Sequence, residues 1–311
     1  MELFAALRGV YAAAVTPLKA NHSPDLEAIP TFLSFLAQRG CHGALLLGTT
    51  GEGPSFSTQE RLEILRAALP IRQVHPGFHL LAGTGTPSLE ETIHLTRAAF
   101  NLGMEGVVVL PPYYYRRISD EGLYEWFRAI LLRSVPEGRA LFVYHIPPLT
   151  GITFSFDLLS RLKEAFPSRF AGIKDSSGEA EFADKIGLRF GGDLLVLNGN
   201  DRLFSQALTA GASGCITALA NLYSPDLRLV WEGFCRGEED VAAQTRLDLR
   251  RAAMEKYPPF PPLIKALLPR FHPLPAWQTR PPLLPVSTEV VDKVLQELEL
   301  LEKAHLPPLP A

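Results

Sequence analysis

Eight short, almost unbroken apolar runs recur through the first two-thirds of the chain, at residues 10–15, 43–47, 79–82, 106–110, 140–144, 170–174, 194–198 and 214–217. Strands with one wet face alternate polar and apolar residues; unbroken runs belong to strands buried on both faces. Each run is followed by a helix-start signal and a stretch of helical period. Ser57-Thr-Gln-Glu60 and Ser88-Leu-Glu-Glu91 fit the capping box, in which Ser and Glu satisfy free helix N–H groups. Ser23-Pro24 reads as a cap followed by a first-turn proline, where the missing N–H costs little. The run starts lie roughly 20–36 residues apart, the length of one βα unit. Eight such units in about 220 residues predict an α/β chain folded as a (β/α)8 TIM barrel. A doubly wound open sheet is the alternative. No GxGxxG follows the first run and no GxxxxGK[ST] loop occurs, so a dinucleotide or P-loop reading has no support.

The opening MELFAALRGVYAAAVTPL superficially suggests a secretion signal, but it lacks a basic start and Arg8 interrupts it. It reads instead as a first strand. The barrel is expected over residues 1–221 and a helical, proline-rich extension over 222–311. Within the extension, residues 257–285 hold ten prolines in 29 positions, which forbids one continuous helix. Short helices packed on the barrel's side are expected there; a disordered linker is the alternative, against which Leu263–Leu268 and Trp277 look made for burial. The final LPPLPA is expected to fray.

Thirty basic and thirty-three acidic side chains leave a formal charge of −3, which argues against a nucleic-acid partner. No run reaches the roughly 18 apolar residues of a membrane span. Cys41, Cys215 and Cys235 are too few and too scattered for a disulfide framework or a CxxC metal site, so a reducing cytoplasm is the expected location. No His, Cys, Asp or Glu cluster has metal-ligand spacing, and no cofactor is expected.

Barrel enzymes place their chemistry at the C-terminal strand ends. The sixth run ends at Lys174, followed by Asp-Ser-Ser-Gly. At a strand end after the apolar Gly-Ile its ammonium is partly desolvated, which leaves some free amine able to attack a ketone. Spacing alone favours a plainer role, a strand-end lysine reaching solvent. The fifth run ends at Tyr144, 30 residues or one βα unit earlier, so both side chains should reach one mouth. A phenol there can shuttle protons beside an amine; the plainer role is a core tyrosine. His145, one residue on, points to the opposite face. The second run ends in Gly-Thr-Thr-Gly-Glu-Gly (48–53), whose hydroxyls and backbone N–H groups suit a carboxylate or phosphate, though glycine-rich turns are common.

Eight segments in order resemble one family, the Schiff-base pyruvate aldolases typified by dihydrodipicolinate synthase and N-acetylneuraminate lyase. They are GVYAAAVTPL (9–18), GTTGEG (48–53), PPYYY (111–115), YHIPPLTG (144–151), GIKDSSG (172–178), NGND (198–201), GCITALAN (214–221) and RPPLLP (280–285). The resemblance overturns the plain reading of Lys174, which matches the lysine that captures the keto carbon of pyruvate. It implies that Tyr144 is the proton-relay tyrosine. Thr49 and Thr50 match the pair that holds the pyruvate carboxylate, with Thr50 also linked to Tyr144. Tyr114 matches a tyrosine inserted across a subunit interface, and Ile216 a pocket-lining residue. A homotetramer is implied.

The departures concern the second substrate. The synthase branch places an arginine where this chain has Leu149. YHIPPLTG looks closer to the lyase branches, yet the sialic acid lyases carry Asp-Glu where this chain has Asp201-Arg202, and a serine in place of Ala218. The expectation is an aldolase cleaving a 2-keto acid, either a 2-keto-3-deoxy sugar acid or a 4-hydroxy-2-oxoglutarate-like dicarboxylate, to pyruvate and an aldehyde. Arg202 is a candidate for a distal anionic group, against an outward-facing arginine on the seventh helix, and Asp201 beside it is a candidate substrate-binding residue. Synthase activity on aspartate semialdehyde and a non-catalytic keto-acid-binding relative are the alternatives.

Overall fold

A computed structural model describes residues 2–305. Eight parallel strands close into a barrel in chain order. They are β1 (Gly9–Ala13), β2 (Gly43–Leu46), β3 (His79–Gly83), β4 (Gly106–Val109), β5 (Ala140–His145), β6 (Phe170–Asp175), β7 (Leu195–Asn198) and β8 (Gly214–Thr217). Each begins within two residues of its predicted run.

Strand alternation sorts the apolar side chains into two layers. Tyr11, Leu45, Leu81, Val108, Phe142 and Leu197 point inward and fill the barrel. Val10, Ala44, Leu80, Val107, Val143 and Val196 point outward to the helices. The first residues depart from expectation: Glu2–Leu7 form a 3-10 turn that sends Phe4 and Leu7 into the inner layer, and β1 starts only at Gly9.

Ser57 makes the full capping box with Glu60. Ser88 caps its helix through Glu91 N–H, but the Glu91 carboxylate turns away to accept from Thr58. Ser23-Pro24 is not a helix cap. Pro24 pairs back with Leu18, the Ser23 hydroxyl bonds Asn21 at 2.7 Å, and the first helix opens at Ala28. A returning bridge satisfies this backbone, so the local cap signal loses.

The helix Ala220–Arg236 packs against β1 and closes the outer ring, so the expected boundary at 221/222 falls inside the eighth barrel helix. Helices Val241–Met254, Phe260–Phe271 and Thr288–His305 follow. Pro261 and Pro262 occupy the first turn of Phe260–Phe271, where proline is tolerated. Leu263, Leu268 and Trp277 are buried. The terminal LPPLPA lies outside the described residues. Among the described residues no helix is long and apolar enough to cross a membrane.

Candidate active site

The strand ends of β5 and β6 set the central pair. Tyr144 and Lys174 are register partners on these neighbouring strands. Both are buried, at 4% and 2% exposure. Lys174 Nζ lies 4.0 Å from the centre of the Tyr144 ring. Burial pushes the Tyr144 phenol up. The Lys174 ammonium, with hydrogen bonds to Lys174, Thr49 and Ser176, more than offsets it and holds the phenol below its ordinary range. A phenol so held moves a proton more readily than an ordinary tyrosine.

The loop after β2 lies over this pair. Thr49 Oγ1 sits 3.3 Å from the Tyr144 hydroxyl, so the threonine linked to the phenol is Thr49, not Thr50 as the resemblance implied. Thr50 is buried and lines the same cavity. Glu52, in a left-handed conformation, anchors the loop from below. Its carboxylate accepts from Lys265 and, at 2.9 Å, from the Arg280 N–H. Arg280 continues outward to Glu60 at 2.7 Å and to the carbonyls of His22 and Ser55. The extension therefore clamps the loop that carries both threonines.

The cavity above Lys174 has a volume of about 1030 Å³, at the upper end for small-molecule sites. Thr49, Thr50, Tyr144, Lys174, Ile216 and Arg202 all line it. Two expected site residues are placed elsewhere. Asp201 is fully buried and paired with Arg251 at 2.9 Å, so its carboxylate supports the wall and does not face the cavity. Burial raises its affinity for a proton despite Arg251 and a bond to Thr217. Tyr114 is 75% exposed beside Tyr115 and does not line the cavity of its own chain.

Ser176 was missed from sequence. It lines the cavity and bonds Tyr144. Its place depends on Gly199, where a Cβ would come within 2.0 Å of Ser176 Oγ. The signal available was the Ser-Ser pair immediately after Lys174-Asp175.

A buried lysine facing a phenol at the C-terminal mouth of a (β/α)8 barrel, beneath a hydroxyl-bearing loop, defines the framework of a carbon–carbon lyase. The chain belongs to the dihydrodipicolinate synthetase family, whose model matches residues 6–301. It is 39% identical over 286 residues to an uncharacterized DapA-like lyase of Chloroflexus aurantiacus, covering 91% of this chain and 93% of that one. It is 32% identical over 302 residues to the 4-hydroxy-tetrahydrodipicolinate synthase of Thermus thermophilus, covering 97% and 90%. The crystal structure of dihydrodipicolinate synthase from Agrobacterium tumefaciens superposes with a TM-score of 0.83 at 29% identity, over 94% of this chain and 99% of that one.

Proposed function

We propose that the protein is a pyruvate-dependent class I aldolase that works through a Schiff base on Lys174. The observation that carries this reading is the buried, register-paired contact between the Lys174 amine and Tyr144. In its neutral form the amine attacks the keto carbon of pyruvate. Loss of water from the carbinolamine leaves an iminium. Tyr144 then takes a proton from the methyl group, directly or through its hydroxyl partners, and the enamine results. In cleavage the same steps run backwards: the 4-hydroxyl proton goes to Tyr144 as the carbon–carbon bond breaks into the iminium sink.

Thr49 and Thr50 hold the pyruvate carboxylate, and Ile216 packs on the pyruvate body. Tyr114, exposed on one chain, fits a role in a neighbouring subunit's site, which makes the working unit an oligomer, in this proposal a homotetramer in the cytoplasm. Cleavage or formation of a 2-keto acid is favoured over the synthase reaction by Leu149. This side chain lines the mouth and offers no charge to grip the carboxylate of aspartate semialdehyde.

The test is reduction with borohydride in the presence of pyruvate, followed by intact mass. One reduced pyruvate adduct per chain is expected, and none in Lys174→Ala. An adduct that persists in Lys174→Ala, or no adduct in the native protein, refutes the assignment. Tyr144→Phe should fold normally and lose about 10²–10⁴-fold in kcat.

A further inference from the structure

In the aldolase reading Tyr144 serves by turns as base and as acid. A proton it has taken from the methyl group of bound pyruvate either returns to the same carbon or is exchanged with water. Exchange needs a route from the phenol to the mouth, and the phenol is buried at 4% exposure. Its hydrogen-bonding side chains are Lys174, Thr49 and Ser176. With pyruvate bound, two of these are occupied. The Lys174 nitrogen is part of the iminium, and the Thr49 hydroxyl holds the carboxylate. Ser176 remains.

The fold sets Ser176 between the phenol and the open mouth. It is the first residue beyond β6, and its N–H donates to the His145 carbonyl at 2.7 Å, which ties it to the strand end that carries Tyr144. Tyr144 and Lys174 are buried, but Ser176 is half-buried and lines the cavity beside Gly178, Gly199 and Asn200. Gly199 leaves the notch that the hydroxyl fills, since a Cβ there would come within 2.0 Å of Ser176 Oγ. Two glycines among these neighbours leave room for water. The next hydroxyl along is closed off: Ser177 Oγ donates to Asp175 at 3.2 Å and accepts from the Glu179 N–H at 3.2 Å. A serine hydroxyl both donates and accepts, so it can take a proton on one side while giving its own on the other.

Resting on the aldolase reading, we propose that Ser176 is a positioning residue for proton exchange, accepting a proton from the Tyr144 hydroxyl while donating its own to water at the mouth. The C–H bond of the pyruvyl methyl group breaks, its electron pair becomes the enamine double bond, and the Tyr144 oxygen gains the proton. The Tyr144 O–H bond then breaks as a new Ser176 O–H bond forms, and the former Ser176 proton passes to water. One proton leaves pyruvate and one reaches solvent, with no electrons gained or lost. In reverse, the same path brings a solvent proton to the enamine carbon. The path is contained in one chain and does not wait on Tyr114 from a neighbouring subunit.

The experiment incubates pyruvate with the protein in D2O without aldehyde. Deuterium entering the methyl group is followed by proton NMR, alongside borohydride trapping. Ser176→Ala should form the trapped adduct at a rate within about twofold of native and lose about tenfold or more of the deuterium exchange. Imidazole buffer, a small proton carrier, should restore exchange in Ser176→Ala and leave the native rate unchanged. Unchanged exchange in Ser176→Ala, a deficit shared equally by trapping, or a deficit that imidazole does not touch overturns the inference. Exchange that survives in Ser176→Ala but falls in Tyr114→Phe overturns it too, and puts the route in the neighbouring subunit. A native protein that traps pyruvate yet fails one of these comparisons loses only this inference; no adduct at all sinks the aldolase reading and this inference with it.

Discussion

Lys265→Met tests whether the extension holds the loop that carries Thr49 and Thr50 in place. Lys265 and Glu52 are both buried, the lysine at 1% exposure. Lys265 also donates to the Gln278 carbonyl at 2.7 Å. Burial lowers the lysine's proton affinity, although Glu52 pulls it up. The net direction has a consequence for stability. A lysine that binds its proton less tightly folded than unfolded pays for its burial, so the charged pair gives position more than net stability. Methionine keeps most of the stem's volume and removes the ammonium. Glu52 is then left buried as a carboxylate with the Arg280 N–H as its remaining bond. Stranding one member of a buried pair costs about 3–5 kcal/mol. At roughly 2 °C per kcal/mol for a chain this long, Tm should fall by about 6–10 °C. Glu52 lies two residues from Thr50, so KM for pyruvate should rise with it. The double variant Glu52→Gln/Lys265→Met removes both charges and should recover more than half of the lost Tm. Calorimetry on the three proteins decides. A single variant within about 2 °C of native, or a double variant no more stable than the single, refutes the reasoning.

The remaining predictions are narrower. Gly199→Ala should drive the Ser176 hydroxyl off Tyr144, because the new Cβ would lie 2.0 Å from Ser176 Oγ and 2.8 Å from the Asp175 carbonyl. A loss of about ten- to a hundredfold in kcat is expected. The loss should be smaller when Ser176→Ala is already present, and equal losses in both backgrounds would show that Ser176 is not the route. Arg280 holds the Glu60 carboxyl down at about 2, against 4.5 for a free glutamate. A depressed carboxylate stabilises the fold above its unfolded value and loses that contribution as pH falls toward its folded value. The stability gap between native protein and Glu60→Gln should therefore shrink between about pH 5 and about pH 2 in urea titrations; a gap independent of pH counts against the Arg280 contact.

What sequence showed, and what it hid, divides by range. Lys174 and Tyr144 were placed together because each ends a run and they are one βα unit apart, and parallel neighbours in a barrel convert that spacing into contact. Alternation also put His145 on the face opposite Tyr144, as the structure has it. Ser23-Pro24 misled because its competitor was a bridge back to Leu18, a pairing that no local cap rule sees. Asp201 was assigned to the cavity because Asp201-Arg202 stands where related lyases carry Asp-Glu, but its partner Arg251 lies 50 residues further on, on a helix whose docking no periodicity reports. Glu52 and Lys265 are 213 residues apart, and nothing near either position signals the other. Groups fixed by strand register were legible; groups fixed by where the extension lands were not.

The pairing of Lys174 with Tyr144 also depends on an irregularity. β5 and β6 begin in register at Leu141 and Phe170, but the next partners are Phe142 and Gly172, so β6 carries one extra residue. Without that shift Tyr144 would face Ile173 and the amine would lie one step further on. Bulges of this kind re-aim a side chain at the cost of local pairing. The shift occurs at Gly172, where a Cβ would come within 2.0 Å of the Leu195 carbonyl on β7. Beyond it, alternation produces two pairs. Tyr144 and Lys174 face in, while His145 and Asp175 face out, joined at 2.9 Å with the Phe182 ring 4.3 Å from the imidazole. A carboxylate only accepts, so His145 Nδ1 carries the shared proton. The His145 carbonyl accepts from the Ser176 N–H at 2.7 Å, and Asp175 accepts from the Ser177 N–H at 3.0 Å. The outward pair thus fixes the backbone on which the inward pair stands. A one-residue slip would exchange them, burying an amine among Phe154 and Phe182 and leaving the mouth without its lysine. Core packing and chemistry therefore select the same register, and the glycine at 172 is the residue on which both depend.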